Sequence, residues 1–219
     1  MHGSEALEAL RAMADEDVRQ GFARFAIPTE SALGVTMPQV RALARRCGRS
    51  HALARELWST EIHEARLLAA LVDEPAAVTV RQMNAWAADF ADWSLCDTAC
   101  FSLFDRTPHA LGRIDAWSKG TKLYVKRAAF ATLWGLARHD KGAPDDVFLQ
   151  LEPVLRQGAL DQRDHVQKAV DMAMRTIGCR NAALHAFIQS LAKEFVEDSD
   201  PERRVVGKRV LRKLRSPRA

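Results

Sequence analysis

The sequence lacks any long run of apolar residues, and nothing in it approaches the roughly 18 residues that a membrane-spanning helix needs. The first ten residues include Glu5 and Glu8 and hold no apolar segment of the kind found in a secretory signal peptide. Glycine and proline are sparse, with 11 and 8 among 219 residues, and β-branched residues are few. These shortages favour helices over strands, and we expect a cytoplasmic protein without a membrane partner.

Cysteine pairs and common catalytic motifs are also missing. The four cysteines form no CxxC pair and no histidine cluster accompanies them, so we expect buried reduced thiols, with a structural zinc site as the alternative: Cys47, Cys96, Cys100 and Cys179. The chain has no HExxH sequence, no nucleophile elbow and no glycine-rich phosphate loop. These absences argue against nucleotide hydrolysis, and we expect neither a metal nor another cofactor.

Positive charge is concentrated at the C-terminus. Of the 32 basic and 28 acidic residues, eight basic and one acidic lie between Pro201 and Ala219, which leaves 24 basic and 27 acidic residues for the rest. The net charge of +4 is therefore a local excess. Such a tail is typical of proteins that bind nucleic acid or another polyanion, and a tail that only improves solubility is the alternative.

Apolar residues recur with helical spacing along nearly the whole chain, and no segment alternates with the period of a strand. The clearest helix opens with Pro38 and stops at Gly48, the expected signals for a start and an end. The pattern predicts helices over residues 37–47, 61–72, 78–90, 93–104, 121–138, 144–157, 161–177, 181–196 and 201–214. Their short connections are typical of stacked helical hairpins.

A weak internal repeat accompanies these helices. Residues 125–127 (Val-Lys-Arg) recur after 41 residues as 166–168 (Val-Gln-Lys) and after a further 40 as 206–208 (Val-Gly-Lys). A period near 40 residues is that of HEAT-like repeats, whose second helices line the concave face of a curved solenoid. We therefore predict an all-α protein, an α-α superhelix of HEAT-like repeats. It is expected to form a single domain over residues 1–219, with a basic C-terminal helix and tail over 201–219.

The repeat places three basic residues, Arg127, Lys168 and Lys208, at the same position of successive units. Stacked units would align them along one surface, where they could contact the phosphates of a nucleic acid. The alternative is that basic residues recur by chance at solvated positions. Residues 112–141 support the first interpretation because they include seven basic and only two acidic residues.

Glu61 and Glu64 accompany Arg66 on one predicted helix, and we interpret this group as a solvated face. Arg66 lies in the second helix of a predicted pair, so it is also a candidate for contact with a nucleic acid. The tryptophans other than Trp93 are expected in the core: Trp58, Trp86, Trp117 and Trp134.

Trp93 and Asp97 lie four residues apart, so they share one face of a predicted helix. A carboxylate there can stabilise a developing cation, and an indole ring offers a flat surface to a sugar or a cationic ligand. On spacing alone, a core tryptophan with a capping or ion-paired acid is the commoner interpretation.

Three further segments change this interpretation when they are taken together with residues 93–97 (Trp-Ser-Leu-Cys-Asp). They are residues 34–44, residues 124–129 (Tyr-Val-Lys-Arg-Ala-Ala) and residues 165–175 (His-Val-Gln-Lys-Ala-Val-Asp-Met-Ala-Met-Arg). In order and spacing, the four segments resemble the AlkD family of DNA alkylation repair glycosylases over roughly residues 22–181. The family's active-site helix reads Trp-Asp-x-x-Asp, and Ser94 stands where an Asp is frequent.

The resemblance implies a DNA glycosylase that hydrolyses the N-glycosidic bond of cationic alkylated purines, N3-methyladenine and N7-methylguanine, during base excision repair. It implies that Asp97, Trp93 and Arg127 form the catalytic cluster. The expected DNA-binding residues are Lys126, Lys168, Arg175, Met172, Arg66 and Lys208. The expected partner is double-stranded DNA with alkylated bases, bound by a monomer that is associated with the nucleoid when it is on DNA.

Met172 departs from the family pattern, which usually has a second active-site tryptophan at this position. Methionine is apolar and polarisable but has no flat π surface, so the departure bears on rate and on lesion preference. Two other functions stay open: a DNA-binding or lesion-sensing protein without turnover, and a protein-interaction scaffold, the commonest use of HEAT-like solenoids. Retention of Asp97 favours the enzyme.

Overall fold

The computed structural model describes residues 1–216, and this part of the chain is helical, with no β-strand. Its residues form 14 α-helices and two short 3-10 helices, which confirms the all-α prediction. None of these helices is long and apolar enough to span a membrane. The chain divides into two compact units, Met1–Pro108 and His109–Ala219, here called unit 1 and unit 2. Residues 217–219 of the predicted basic tail lie outside the described residues.

Unit 1 contains α1 (Gly3–Arg11), α2 (Glu16–Gly21), α3 (Met37–Cys47), α4 (His51–Trp58), α5 (His63–Val72), α6 (Val80–Ala88) and α7 (Trp93–Ser102). The 3-10 helices follow α2, at Phe22–Phe25, and α7, at Phe104–Arg106. The bounds predicted for α3 are confirmed, because Thr36 and Gln39 form a capping box at its start and Gly48 ends it with a φ of 71°.

Helix α5 forms the centre of unit 1 and packs against α3, α4 and α7. Its side chains are nearly all buried, including Leu67, Leu68 and Val72. The indoles of Trp58 and Trp86 stack with their ring centroids 3.9 Å apart and also lie in the core. The apolar periodicity of the sequence therefore identifies the core of unit 1 correctly.

Glu64 is fully buried, so the expectation of a solvated face is wrong at this position. Its carboxylate accepts hydrogen bonds from the backbone N–H groups of Leu33, Gly34 and Val35 at 2.8–3.0 Å. The loop before α3 meets α5 here, about 30 residues away in sequence. A carboxylate with three N–H donors is stable without water.

Unit 2 contains α8 (Ala110–Ser118), α9 (Leu123–His139), α10 (Asp145–Leu149), α11 (Glu152–Gly158), α12 (Asp164–Gly178), α13 (Ala182–Glu197) and α14 (Pro201–Lys213). Helix α12 packs against α9, α13 and α14, and α9 also packs against α8. The helices that carry the repeated triplets, α9, α12 and α14, are therefore linked through α12.

The single helix predicted over 144–157 is wrong, because the structure has two short helices there, α10 and α11, separated at Gln150 and Leu151. Pro153 has no N–H to donate to the carbonyl of Leu149, so one continuous helix would lose a hydrogen bond at this point. Pro153 instead lies in the first turn of α11, where no donor is needed.

Two of the cysteines, Cys96 and Cys100, are buried, as expected. Cys47 is half-buried and Cys179 is exposed, so the expectation of burial is wrong for these two. Within residues 1–216 there is no group of three His, Cys, Asp or Glu side chains that could hold a metal ion. Among the tryptophans expected in the core, Trp117 is buried and Trp134 is half-buried.

Candidate active site and nucleic-acid interface

Helix α7 begins at Trp93, one of the predicted catalytic residues. Asp92 caps the helix, since one of its carboxylate oxygens accepts hydrogen bonds from the N–H groups of Ser94 and Leu95 at 2.8 and 3.0 Å. The other oxygen lies 3.4 Å from Nδ1 of His63 on α5. Asp92 and His63 are both buried. The first turn of α7 is thereby fixed to the core of unit 1.

The Trp93 indole is held by a second contact. Its Nε1 donates a hydrogen bond to the backbone carbonyl of Phe25 at 2.8 Å. Phe25 closes a 3-10 helix and is followed by Ala26 with a left-handed φ of 54°. The Phe25 side chain is 61% exposed. The indole is therefore oriented by a backbone group from the N-terminal part of unit 1.

Asp97 lies one helical turn beyond Trp93 on α7, and both side chains are half-buried. The structure thus brings these two predicted residues onto one partly accessible helix face within unit 1. Partial exposure is what a group that must meet a substrate requires, whereas full burial would have indicated a core role. Trp93 and Asp97 are the two site residues from unit 1 that the sequence placed together.

Asp92 and His63 are supporting residues that were not among the predicted site residues. Asp immediately before a helix is a strong N-cap signal and could have been found from the sequence. His63 gives no such signal, because its contact with Asp92 joins residues 29 positions apart. Their role is to position α7 from the inside of unit 1.

Arg66, the other predicted DNA contact in unit 1, is engaged within the unit. Its Nε donates a hydrogen bond to the backbone carbonyl of Trp58 at 3.2 Å, and its guanidinium lies 5.3 Å from the centroid of the Trp58 indole ring. Nη2 lies 3.6 Å from Asp89. The side chain is 15% exposed, so these contacts join α4, α5 and the end of α6. Contact of Arg66 with DNA stays a prediction.

Arg127 is the fifth residue of α9 and only 4% of it is exposed. Its Nη1 donates a hydrogen bond to the backbone carbonyl of His165, near the start of α12. This bond links the first turns of the two helices that carry the family-like motifs of unit 2. The guanidinium is consequently held in a defined orientation.

Lys126 pairs with Asp161 in the loop before α12, with 3.1 Å between Nζ and Oδ2. Arg163 pairs with the same carboxylate at 2.6 Å. Burial opposes ionisation of Asp161, but the hydrogen bonds from Arg163 and Lys126 outweigh it and lower its pKa from 3.8 to about 2. Lys126 is therefore part of a compact ionic group at the start of α12.

The three basic residues of the repeat differ in exposure. Lys168 is the fifth residue of α12 and its side chain is 55% exposed, with Nζ 2.7 Å from Asp164. This hydrogen bond, supported by Arg209, lowers the pKa of Asp164. Lys208 on α14 is exposed, whereas Arg127 is buried. The repeat thus predicts helical position better than it predicts exposure.

Met172 and Arg175 lie three residues apart on α12, and both are half-buried. Arg175 forms two hydrogen bonds with the buried carboxylate of Asp171, at 2.9 and 3.0 Å. A bidentate pair of this kind fixes the plane of the guanidinium. Arg127, Met172 and Arg175 therefore lie on adjacent helices of unit 2, and hydrogen bonds orient both guanidinium groups.

The chain matches the family model described as "DNA alkylation repair enzyme" over residues 6–213. It belongs to this family. The DNA alkylation repair enzymes are thus the family that the four sequence motifs pointed to, and the match extends to the end of α14. No curated protein matches the chain.

This DNA alkylation repair family member resembles one solved structure with a TM-score of 0.78 and 17% sequence identity. The likeness covers 100% of the present chain and 98% of the chain in the solved structure. It is described as "A new family of proteins related to the HEAT-like repeat DNA glycosylases with affinity for branched DNA structures". At this identity the likeness shows the fold, and it confirms the predicted HEAT-like repeat class.

Proposed function

We propose that this protein is a DNA glycosylase that releases cationic alkylated purines, N3-methyladenine or N7-methylguanine, from duplex DNA. The observation that carries the proposal is the face of α7, where Asp97 follows Trp93 by one turn and the start of the helix is fixed by Asp92 and the Phe25 carbonyl. Family membership supplies the context of DNA alkylation repair.

The chemistry requires little from the protein. An alkylated purine carries a positive charge, so it leaves with the electron pair of the C1′–N bond and becomes neutral without a general acid. The deoxyribose gains oxocarbenium character, which the carboxylate of Asp97 stabilises. A water molecule bonds to C1′, Asp97 orients it through a hydrogen bond, and its proton passes to the carboxylate or to solvent.

Trp93 acts by packing its ring against the deoxyribose, and the hydrogen bond to Phe25 sets the plane of that ring. Arg127 is assigned to a phosphate of the DNA, by charge-assisted hydrogen bonds, and this contact requires its side chain, 4% exposed and bonded to the His165 carbonyl, to become accessible when DNA binds. This assignment rests on the resemblance of residues 124–129 to the basic motif of the family. Lys126, Lys168, Arg175 and Lys208 are proposed to contact other phosphates, and Met172 the sugar or base.

The direct test is base release from methylated duplex DNA by the wild-type protein and by Asp97→Asn. We expect the variant to lose at least about 100-fold in rate, comparable to removing one charge-stabilising group from an active site, while DNA affinity is kept. Asp17→Asn removes the same charge from an exposed position of α2 and is the matched control. If the wild-type protein releases base no faster than Asp97→Asn, the proposed glycosylase function is refuted.

A second function is favoured by the solved relative, which belongs to proteins with affinity for branched DNA structures. We propose it as the alternative: binding of branched DNA without base release. Competition between a four-way junction and a duplex of the same length measures it. Preference for the junction, together with no base release by the wild-type protein, would support the binder over the enzyme.

A further inference from the structure

A cleft within unit 2 lies outside the residues assigned above, apart from Arg175 at its edge. It is formed by the C-terminal part of α9, the second half of α12 and residues 212–216, and its volume is about 1090 Å³. We call it the C-terminal cleft. Three of the basic residues that follow α13, Arg212, Lys213 and Arg215, thus form part of a wall, whereas from the sequence they could have been a tail that only improves solubility.

Seven basic side chains line the C-terminal cleft: Arg175, Arg180 and a group of five, Arg138, Lys141, Arg212, Lys213 and Arg215. All five are exposed. Among the described residues, no carboxylate lies within the 4.0 Å of an ion pair from any of them. The five charges therefore give the cleft a positive potential.

The negative groups around the C-terminal cleft already have partners. Asp145, the acidic residue that lines it, accepts two hydrogen bonds from the Asn181 amide at 2.8 and 3.1 Å. Arg180 donates to the backbone carbonyls at the end of α9 and beyond, at 2.7–2.9 Å: Ala137, Asp140 and Ala143. The negative end of the α9 dipole is therefore neutralised, and it does not offset the five cations.

The wall made by residues 212–216 is anchored. Leu214 packs against Gly178 at the end of α12, where an added Cβ would lie 2.9 Å from Cδ1 of Leu214. The backbone carbonyl of Arg215 lies 3.4 Å from Sγ of Cys179. A glycine at 178 permits this close approach, and the contacts hold Arg212, Lys213 and Arg215 toward the cleft.

We propose that the C-terminal cleft binds the phosphate backbone of DNA at a site additional to the α7 face. The site rests on the proposed function only in taking DNA as the ligand. The cations come from two separate segments, the end of α9 with Lys141 and residues 212–215, that line a cleft of about 1090 Å³, so the arrangement fits an extended polyanion better than a single small anion. It binds without regard to base sequence or damage, because it offers charge and no base-reading group.

The experiment measures the affinity for an unmodified fluorescent duplex as a function of salt, by anisotropy. The first variant, Arg212→Gln/Lys213→Gln/Arg215→Gln, changes one wall, and the second, Arg138→Gln/Lys141→Gln, changes the other. The matched control is Arg11→Gln/Arg55→Gln/Arg81→Gln, which removes three exposed charges from unit 1. All changes are at exposed side chains, so folding is kept, and circular dichroism verifies it.

We expect the first variant to bind at least about tenfold more weakly near physiological salt, with its salt slope reduced by about two to three. The second variant should lose affinity in the same way, and the control should not. Equal losses in variants and control would show an effect of net charge alone and overturn the cleft. A loss of affinity in the first variant only would show that the C-terminal basic residues act as an independent tail, and it would overturn the cleft proposal. Unchanged affinity in both variants and the control would overturn the proposal as well.

Base release by the wild-type protein is measured in the same preparations. If the wild-type protein releases no base but both cleft variants lose affinity, the glycosylase proposal fails and the cleft stands. If base release is normal and the cleft variants bind as tightly as the wild type, the cleft fails and the glycosylase stands.

Discussion

Nε1 of Trp93 donates a hydrogen bond to the backbone carbonyl of Phe25, 68 residues earlier in the chain. The indole thereby gains a fixed orientation from the end of a 3-10 helix, while the start of its own helix is fixed by Asp92. Because the ring must pack flat against the sugar in the proposed site, loss of this contact is expected to slow base release.

Trp93→Phe keeps an aromatic ring but removes the donor. We expect base release to fall by up to about tenfold, the equivalent of one hydrogen bond of about 1 kcal/mol, and Trp93→Ala to fall further because the ring is lost. Single-turnover kinetics on methylated duplex DNA measure both. Equal rates for Trp93→Phe and the wild type would show that the Phe25 contact does not set the orientation of the ring.

Met172→Trp tests the departure from the family pattern. An indole on α12 would restore a flat surface for the sugar or base, and we expect base release to rise by about two- to tenfold, the range of a favourable aromatic contact. Met172→Leu is the control, since it conserves apolar volume without a π-face. A slower Met172→Trp protein would indicate that the surroundings of position 172 are built for the smaller side chain.

Gly34→Ala is expected to destabilise unit 1 strongly. Gly34 has a φ of 82°, and an added Cβ would lie 1.9 Å from the carbonyl oxygen of Asp15. Gly48→Ala is the matched control, because Gly48 has a φ of 71° but no atom within 4 Å of the new Cβ. Backbone strain costs each variant about 1–3 kcal/mol, and the clash should cost Gly34→Ala at least about 2 kcal/mol more. Urea unfolding gives the difference, and equal losses would contradict it.

Asp161→Asn gives a pH-dependent loss of stability. The folded-state pKa of about 2 lies below the ordinary value of 3.8, so ionised Asp161 stabilises the fold above about pH 4, and this contribution is lost as the pH falls toward 2. The Asp161 side chain is 6% exposed, but its ionic partners are in contact with solvent. We therefore expect Asp161→Asn to lower the free energy of unfolding by about 1–2 kcal/mol at pH 7. The difference from wild type should shrink in acid. A constant difference would contradict the link to Asp161.

Local chemistry explains which elements the sequence predicts well. Helix α3 carries its own start and stop in Thr36, Gln39 and Gly48. Helix α5 starts two residues later than predicted, because Glu61 has a left-handed φ of 61°, which periodicity does not report. The face shared by Trp93 and Asp97 follows from spacing alone, since four residues make about one turn.

Long-range contacts explain the rest. Glu64 is buried because Leu33, Gly34 and Val35 donate hydrogen bonds to it from their N–H groups. The sequence around Glu64 does not indicate that this distant loop contacts it. The same holds for His63 with Asp92, and for the C-terminal segment that docks on Gly178. Residues that position the proposed site are therefore harder to read from sequence than those that would touch DNA.

The carboxylate of Asp92 serves two partners at once, the first turn of α7 and the imidazole of His63. Substitutions along α5 that shift His63 would consequently reach Asp97 through a mechanical link, although no atom of α5 need approach the lesion. Substitutions in this interior helix should therefore change the rate of base release as well as the stability of the fold. A search for functional residues that is confined to the surface would miss them.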